Sequence, residues 1–258
     1  MLVTIAVRLD YELEGLTTVL LQIEAASLAD QRIIEARTDL KDPGHFARVP
    51  AEDSVGERSW IEVRDRFDCN YEARVEIDRP AVDLKRLPAT PLHELPGEVV
   101  KYLMDSRFIP AEKFHQFVEA EFAGHAGGAR IAAMRDWIET NFDYAPGTSD
   151  AETTALDTFV GRQGVCRDYA HVMICLARAS QIPARMVSVY APSVEPPDFH
   201  AVAEVYLDGA WRLVDATGMA SPDEMVRIGV GRDAADISFM MVFGRSQLKT
   251  QTVKVAKA

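Results

Sequence analysis

The chain is poor in cysteine: Cys69, Cys166 and Cys175 are all it has in 258 residues. So few thiols, odd in number, do not make a disulfide framework, and the simplest reading is a protein that keeps them reduced. Nor is there a surplus of positive charge, since 28 Lys and Arg stand against 40 Asp and Glu for a net charge of −12. A polyanionic partner such as nucleic acid is therefore not expected, because no basic excess exists to displace counterions. No apolar run approaches the length of a membrane span, and no membrane partner is expected. The opening Met1–Val7 is apolar but short. Arg8 interrupts it, and it has neither a basic leader nor a small-residue cleavage site, so it reads as a strand rather than a signal peptide. A cytoplasmic protein is expected. Low-complexity tracts and strong internal repeats are also missing, and the length suits one large or two ordinary domains.

What is present begins with alternation at period two. Val3, Ile5, Val7, Leu9, Tyr11 and Leu13 face one way, with polar residues between them. Ile61, Val63 and Phe67 repeat the pattern, as do Tyr71, Ala73, Val75 and Ile77. Thr18–Glu24 and Gln31–Arg37 add shorter strands. Several short strands broken by turn residues predict an antiparallel sandwich or barrel over residues 1–80. Pro80, Pro88, Pro91 and Pro96 then crowd one stretch. Proline removes ladder donors and breaks helices, so 81–97 reads as a linker, or as an ordered loop clamped against the second domain. That second domain is predicted over residues 98–258. Helices are expected over Glu98–Ser106, Pro110–Phe122, Ala129–Phe142, Glu152–Val160 and Val165–Ser180, succeeded by strands Arg185–Tyr190, Phe199–Leu207 and Trp211–Asp215. Helices first and an antiparallel sheet afterwards make an α+β arrangement.

Chemistry concentrates at Cys166. It comes after Gly164 and Val165 at the head of a helix, where unpaired N–H groups and the macrodipole favour a thiolate. His200 lies in the next-but-one strand-like segment and Asp215 in the one after. That order places a nucleophile, a general base and an orienting carboxylate, and predicts acyl chemistry on an amide or ester through a thioester. The hairpin between the last two strands sharpens the expectation. Asp208-Gly209 favours a two-residue type I′ turn. If Leu207 pairs with Ala210, Asp215 falls opposite Val202, on the same face as His200 and within diagonal reach of roughly 7–8 Å. A loop one residue longer would turn Asp215 to the other face. The Cys166 backbone N–H is the natural oxyanion donor, with Gln163 and Tyr144 as candidates for a second.

Each residue also has a plainer reading. Cys69 and Cys175 read as small buried hydrophobes. His45, His93, His115, His125 and His171 have no constellation around them. Asp215 before Ala-Thr-Gly could simply start a turn. Cys, His and Asp are all zinc ligands, but no second Cys or His stands at ligand spacing, so no metal or other cofactor is expected. Arg162 and Arg167 flank the cysteine and could lower its pKa or receive an acidic substrate; ion pairing with a neighbour such as Asp168 is the commoner fate. Trp211 reads as core, or as a wall of the cleft.

Gly164-Val165-Cys166-Arg167-Asp168-Tyr169-Ala170-His171, Ile182-Pro183-Ala184-Arg185, His200-Ala201 and Val214-Asp215-Ala216-Thr217 resemble the bacterial transglutaminase-like superfamily. Tyr102–Arg107 and Gly231–Asp236 look like further family segments, and the β-rich start is similar to the domain often attached to this core. The resemblance implies a core similar to papain-type cysteine proteases and a triad of Cys166, His200 and Asp215. It implies a peptide or protein substrate, with activities ranging over crosslinking, deamidation and hydrolysis, and members that have lost catalysis. A tryptophan common in the family two residues after the histidine is Val202 here. Animal relatives depend on calcium, but no EF-hand-like acidic loop occurs in this chain. Two functions are expected from this: a cysteine-dependent peptidase, amidase or acyltransferase, and a non-catalytic binding module on the same fold.

Overall fold

A computed structural model describes residues 1–258. Two antiparallel sheets and a layer of helices make up the molecule. In the first sheet, β1 (Leu2–Leu21) and β4 (Glu57–Ile77) are unusually long and pair along most of their length. Towards one end they are flanked by β2 (Gln31–Leu40) and β12 (Ser246–Lys257), and towards the other by β3 (His45–Pro50) and β11 (Met240–Phe243). The two apolar stretches expected as separate strands, up to Leu13 and from Thr18, are thus one strand. A register shift between Glu12 and Leu16, with Gly15 at φ +74°, bends it there. Both halves send their side chains into one core, which Tyr190, Val226 and Ile228 of the second sheet complete. The expected sandwich is therefore made in part from a bent sheet and in part from its neighbour.

The second unit starts with α1 (Gly97–Val100), α2 (His115–Phe122) and α3 (Gly127–Asn141). A small parallel pair, β5 (Asp143–Tyr144) and β6 (Gln163–Gly164), brackets α4 (Ala155–Gly161). Then come α5 (Cys166–Ala179) and the second sheet, formed by β7 (Ala184–Tyr190), β8 (His200–Leu207), β9 (Ala210–Val214) and β10 (Val226–Gly231) in the order β10-β7-β8-β9. The helices expected over Glu98–Ser106 and Pro110–Phe122 are each shorter, with 3₁₀ turns at Lys101–Leu103 and Ala111–Phe114. α5 is buried almost all round, because α2, α3 and α4 cover one side and β7 and β8 the other.

Two segments sit where chain order did not suggest. The last strands, β11 and β12, were grouped with residues 98–258 but return to pair with β1. β11 is four apolar residues and β12 is mostly exposed and polar, and neither carries a mark of which sheet it joins. The proline-rich stretch is ordered: Leu87 O accepts from Gly128 N–H, Pro88 O from Asp208 N–H, and Thr90 Oγ1 from Gly209 N–H. It is a strap clamped across the second unit, and Gly127 and Gly128 let it approach, since a Cβ on either would lie within 3 Å of its backbone. No helix is long and apolar enough to cross a membrane.

Candidate active site

The hairpin has the register that brings the site together. Leu207 pairs with Ala210 and Ala203 with Val214, and Asp208 and Gly209 take φ +51° and +70°, both left-handed as a type I′ turn requires. Asp215 comes directly after β9, and its Oδ2 lies 2.9 Å from His200 Nε2. Both side chains are almost wholly removed from solvent, at 1% and 2% exposure. Because Nε2 faces the carboxylate, Nδ1 is the nitrogen left for Cys166; it is buried without a hydrogen-bond partner, and Cys166 lies near enough to act on the ring.

Asp215 is held by more than the histidine. Thr217 donates its backbone N–H and its hydroxyl to Oδ1, and Ala220 N–H donates to Oδ2. The turn-starting reading of this aspartate is met, and the turn also fixes the carboxylate against His200. Burial alone would raise the Asp215 pKa, but these donors and the His200 charge overcome it and hold the group below the usual carboxylate range. Burial likewise opposes charge on His200. The hydrogen bond with Asp215, then the nearby Cys166 and the negative charge on both groups, outweigh it and raise the imidazole pKa well above its ordinary value.

Cys166 is partly exposed, while Cys69 and Cys175 are buried with thiol pKa values pushed up, that of Cys69 to about 12, chiefly by desolvation. The start of α5 is built around Asp168, which is wholly buried. Its Oδ2 accepts from Val165 N–H and from Ser149 Oγ–H, and its Oδ1 from the Arg167 guanidinium. Arg167 is thereby occupied. Arg162 makes no ion pair; its guanidinium stacks on Trp137 and Phe159 at 4.4 and 4.3 Å from the ring centres, with Nη1 buried and unpartnered. Gly164 is required by proximity rather than by a turn, because a Cβ there would stand 2.7 Å from that of Asp168.

Of the two candidate oxyanion donors, the structure brings Tyr144 to the site. It lies close enough to Cys166 that its pKa is pushed up to about 12, first by burial and then by negative charge at Cys166. Gln163 is exposed. Trp211 packs edge-on against Tyr102 and Tyr206 with Arg185 stacked over it, away from the sulfur. Among the histidines set aside, His171 is buried, lies flat against Phe108 and accepts from Ala234 N–H. Reading the sequence missed Ser149 and Asp168 as the supports of the α5 terminus. Serine at a distance of 19 residues carries no local signal, although Asp168, three residues past Val165, has the spacing of a helix-start acid. No cluster of three or more His, Cys, Asp or Glu side chains is arranged to hold a metal ion.

The family model for the transglutaminase-like superfamily matches residues 113–216, a span that contains Cys166, His200 and Asp215. The crystal structure of a protein from Cytophaga hutchinsonii, provisionally described as a cysteine protease, superposes with a TM-score of 0.94 at 30% identity, over 99% of this chain and 90% of that one. The chain belongs to the transglutaminase-like superfamily. Among curated proteins, an uncharacterized protein of Mycobacterium leprae is 31% identical over 119 residues, and one of Mycobacterium tuberculosis is 30% identical over 125. These matches cover 43% and 42% of this chain, and only 42% and 40% of the respective relatives.

Proposed function

We propose that the protein is a cysteine-dependent amide-bond enzyme in which Cys166 is the nucleophile, His200 the general base and acid, and Asp215 the residue that fixes the imidazole. The observation that carries this reading is the contact chain Cys166–His200–Asp215, assembled from one helix end and two strand ends and closed by the 2.9 Å bond between Nε2 and Oδ2. A structural histidine would not need a carboxylate held by three further donors behind it.

The roles come from the geometry. With Nε2–H donated to Asp215, Nδ1 takes the thiol proton, giving a thiolate–imidazolium pair. The sulfur attacks the substrate carbonyl, and the electron pair moves onto oxygen. The Cys166 N–H at the open helix end and the Tyr144 hydroxyl are the donors available to that oxyanion. When the tetrahedral intermediate collapses, the C–N bond breaks and His200 Nδ1–H protonates the departing amine, leaving a thioester. Water or a second amine, deprotonated by His200, then attacks the thioester and restores the thiol. Hydrolysis is the favoured outcome, since water needs no dedicated site. The cytoplasm is the compartment that fits three unpaired thiols.

Incubation with a peptide library, with and without a labelled primary amine, tests the reading by product mass. An intact-protein mass gain on Cys166 and cleaved or deamidated peptides are expected. Asp215→Asn should lower the rate roughly 10²–10⁴-fold, as loss of the tautomer-fixing carboxylate does in other triads. Cys166→Ala with undiminished turnover would refute the assignment, as would a full-rate Asp215→Asn.

A further inference from the structure

Behind Asp215, on the side away from His200, lies a cavity of about 590 Å³. It is bounded by the proline-rich strap, by α3, and by the run Trp211–Asp215, the whole second half of the hairpin. Four arginines and a lysine reach its wall, Arg79, Arg135, Arg212, Arg227 and Lys85, and Asp30, Asp83, Glu139, Asp215 and Asp223 stand among them. Arg79 and Arg227 share a single carboxylate, Asp30, at 2.7 and 2.6 Å. Arg79 also donates Nη1 to the Pro222 and Met225 carbonyls, so it is engaged within the protein. Arg212, half-buried on the same wall, makes no ion pair, and its charge is left for an incoming acceptor. The acids at the outer rim, Glu139 and Asp223, are exposed.

The same wall offers backbone groups. β9 is the edge of its sheet. Tyr206 N–H bonds Pro183 O on the side away from β9, so the Tyr206–Trp211 pair is one whose backbone groups point outward. The N–H and C=O of Trp211, and of Leu213 two residues on, therefore face the free edge, and no other backbone segment pairs with them. Open edge groups of this kind accept an added strand.

We propose that this cavity is a peptide-binding site, taking an extended segment that carries a carboxylate. The segment lies along β9 as a fifth strand of the sheet, pairing with Trp211 and Leu213, and its carboxylate meets Arg212. The loop that carries Gly218 and Ala220 is shared between the cavity and the Asp215 carboxylate, so occupancy is felt at the residue that positions His200. Only that last consequence rests on the proposed function; the binding itself does not.

The test is a titration followed by calorimetry, using a short capped peptide of alternating valine and glutamate. Its glutamine counterpart and a form N-methylated at the pairing residues serve as controls. The acidic peptide should bind wild type and Cys166→Ala alike, so a failed nucleophile assignment leaves this result untouched. The glutamine and N-methylated peptides should bind about tenfold or more weakly, as should the acidic peptide to Arg212→Gln. Because two comparisons change only the probe, they hold even if the variant folds poorly. Absence of binding by the acidic peptide, equal binding by the glutamine or N-methylated form, or equal binding by a free dicarboxylate would overturn the proposal.

Discussion

Asp215 accepts from His200, Thr217 and Ala220 at once, and this concentration of donors explains how two buried ionisable groups coexist. The linkage to stability has a definite sign. His200 has a folded pKa above its unfolded one, so its contribution is fully present below about pH 6.5 and is lost as pH rises through the folded value of about 10. Asp215 behaves oppositely: its contribution stands above the ordinary carboxylate pKa and is lost as acid is added. The melting-temperature advantage of wild type over His200→Gln should therefore shrink steadily between pH 6.5 and 10. A constant difference across that range, read by calorimetric scans, would contradict the ion-pair description. At this scale much was legible beforehand. Cys166, His200 and Asp215 stand out because nucleophile, base and acid come in order at element ends. The pairing of Arg167 with the adjacent Asp168 was legible, whereas its bonds to Ser149 and Asp150, and the stacking of Arg162 on Trp137, depend on partners distant in sequence.

The elements set the geometry within tight limits. The Asp208-Gly209 turn holds the hairpin in the one register that aims Asp215 at His200, and a shift of one residue would turn it away. That register could be read from two residues, because only a left-handed pair suits a two-residue hairpin. The helix start was less legible. Gly164 signals freedom in the sequence, but in the structure it makes room for Asp168, which caps the helix that presents the sulfur. Gly164→Ala must push Asp168 aside, so it should cost about 1–3 kcal/mol and slow Cys166 alkylation, whereas Gly124→Ala, at an exposed position whose Cβ meets nothing within 4 Å, serves as a control away from the helix start. Denaturant melts and thiol kinetics on the two variants check this; a Gly164→Ala protein with unchanged reactivity would show that the cap does not position the sulfur. The long strands were misjudged as several short ones, since Gly15 looks like a turn residue while serving as the pivot of a bend.

Across the whole molecule, charged side chains tie the two sheets together. Glu204 on β8 is fully buried, and Arg185 bonds it twice, at 2.9 and 2.8 Å. Arg185 also reaches Asp53, at 2.9 Å, which holds Lys101 and Tyr102. Arg227 stands 3.3 Å from Glu204 and passes on to Asp30 and Arg79. The line runs from the turn before β4 through the catalytic-sheet strands to the strap. None of it was legible, since the partners are as much as 197 residues apart and buried ion pairs leave no periodic signal. Glu204→Gln leaves arginines buried without their counter-charge and should cost roughly 3–5 kcal/mol, with little dependence on salt. A loss under about 1 kcal/mol in urea melts would mean that water reaches the network and that it does not weld the sheets.

The central claim is that Cys166 is a nucleophile activated by His200. Its most direct test is the rate of iodoacetamide alkylation as a function of pH, tracked residue by residue by peptide mass. Cys69 and Cys175 act as buried internal references. The account predicts that Cys166 alkylates well below the pH at which a free thiol does, and that His200→Ala abolishes the advantage and restores free-thiol titration. A Cys166 that reacts no faster than a free thiol, and is indifferent to the His200 change, would contradict it.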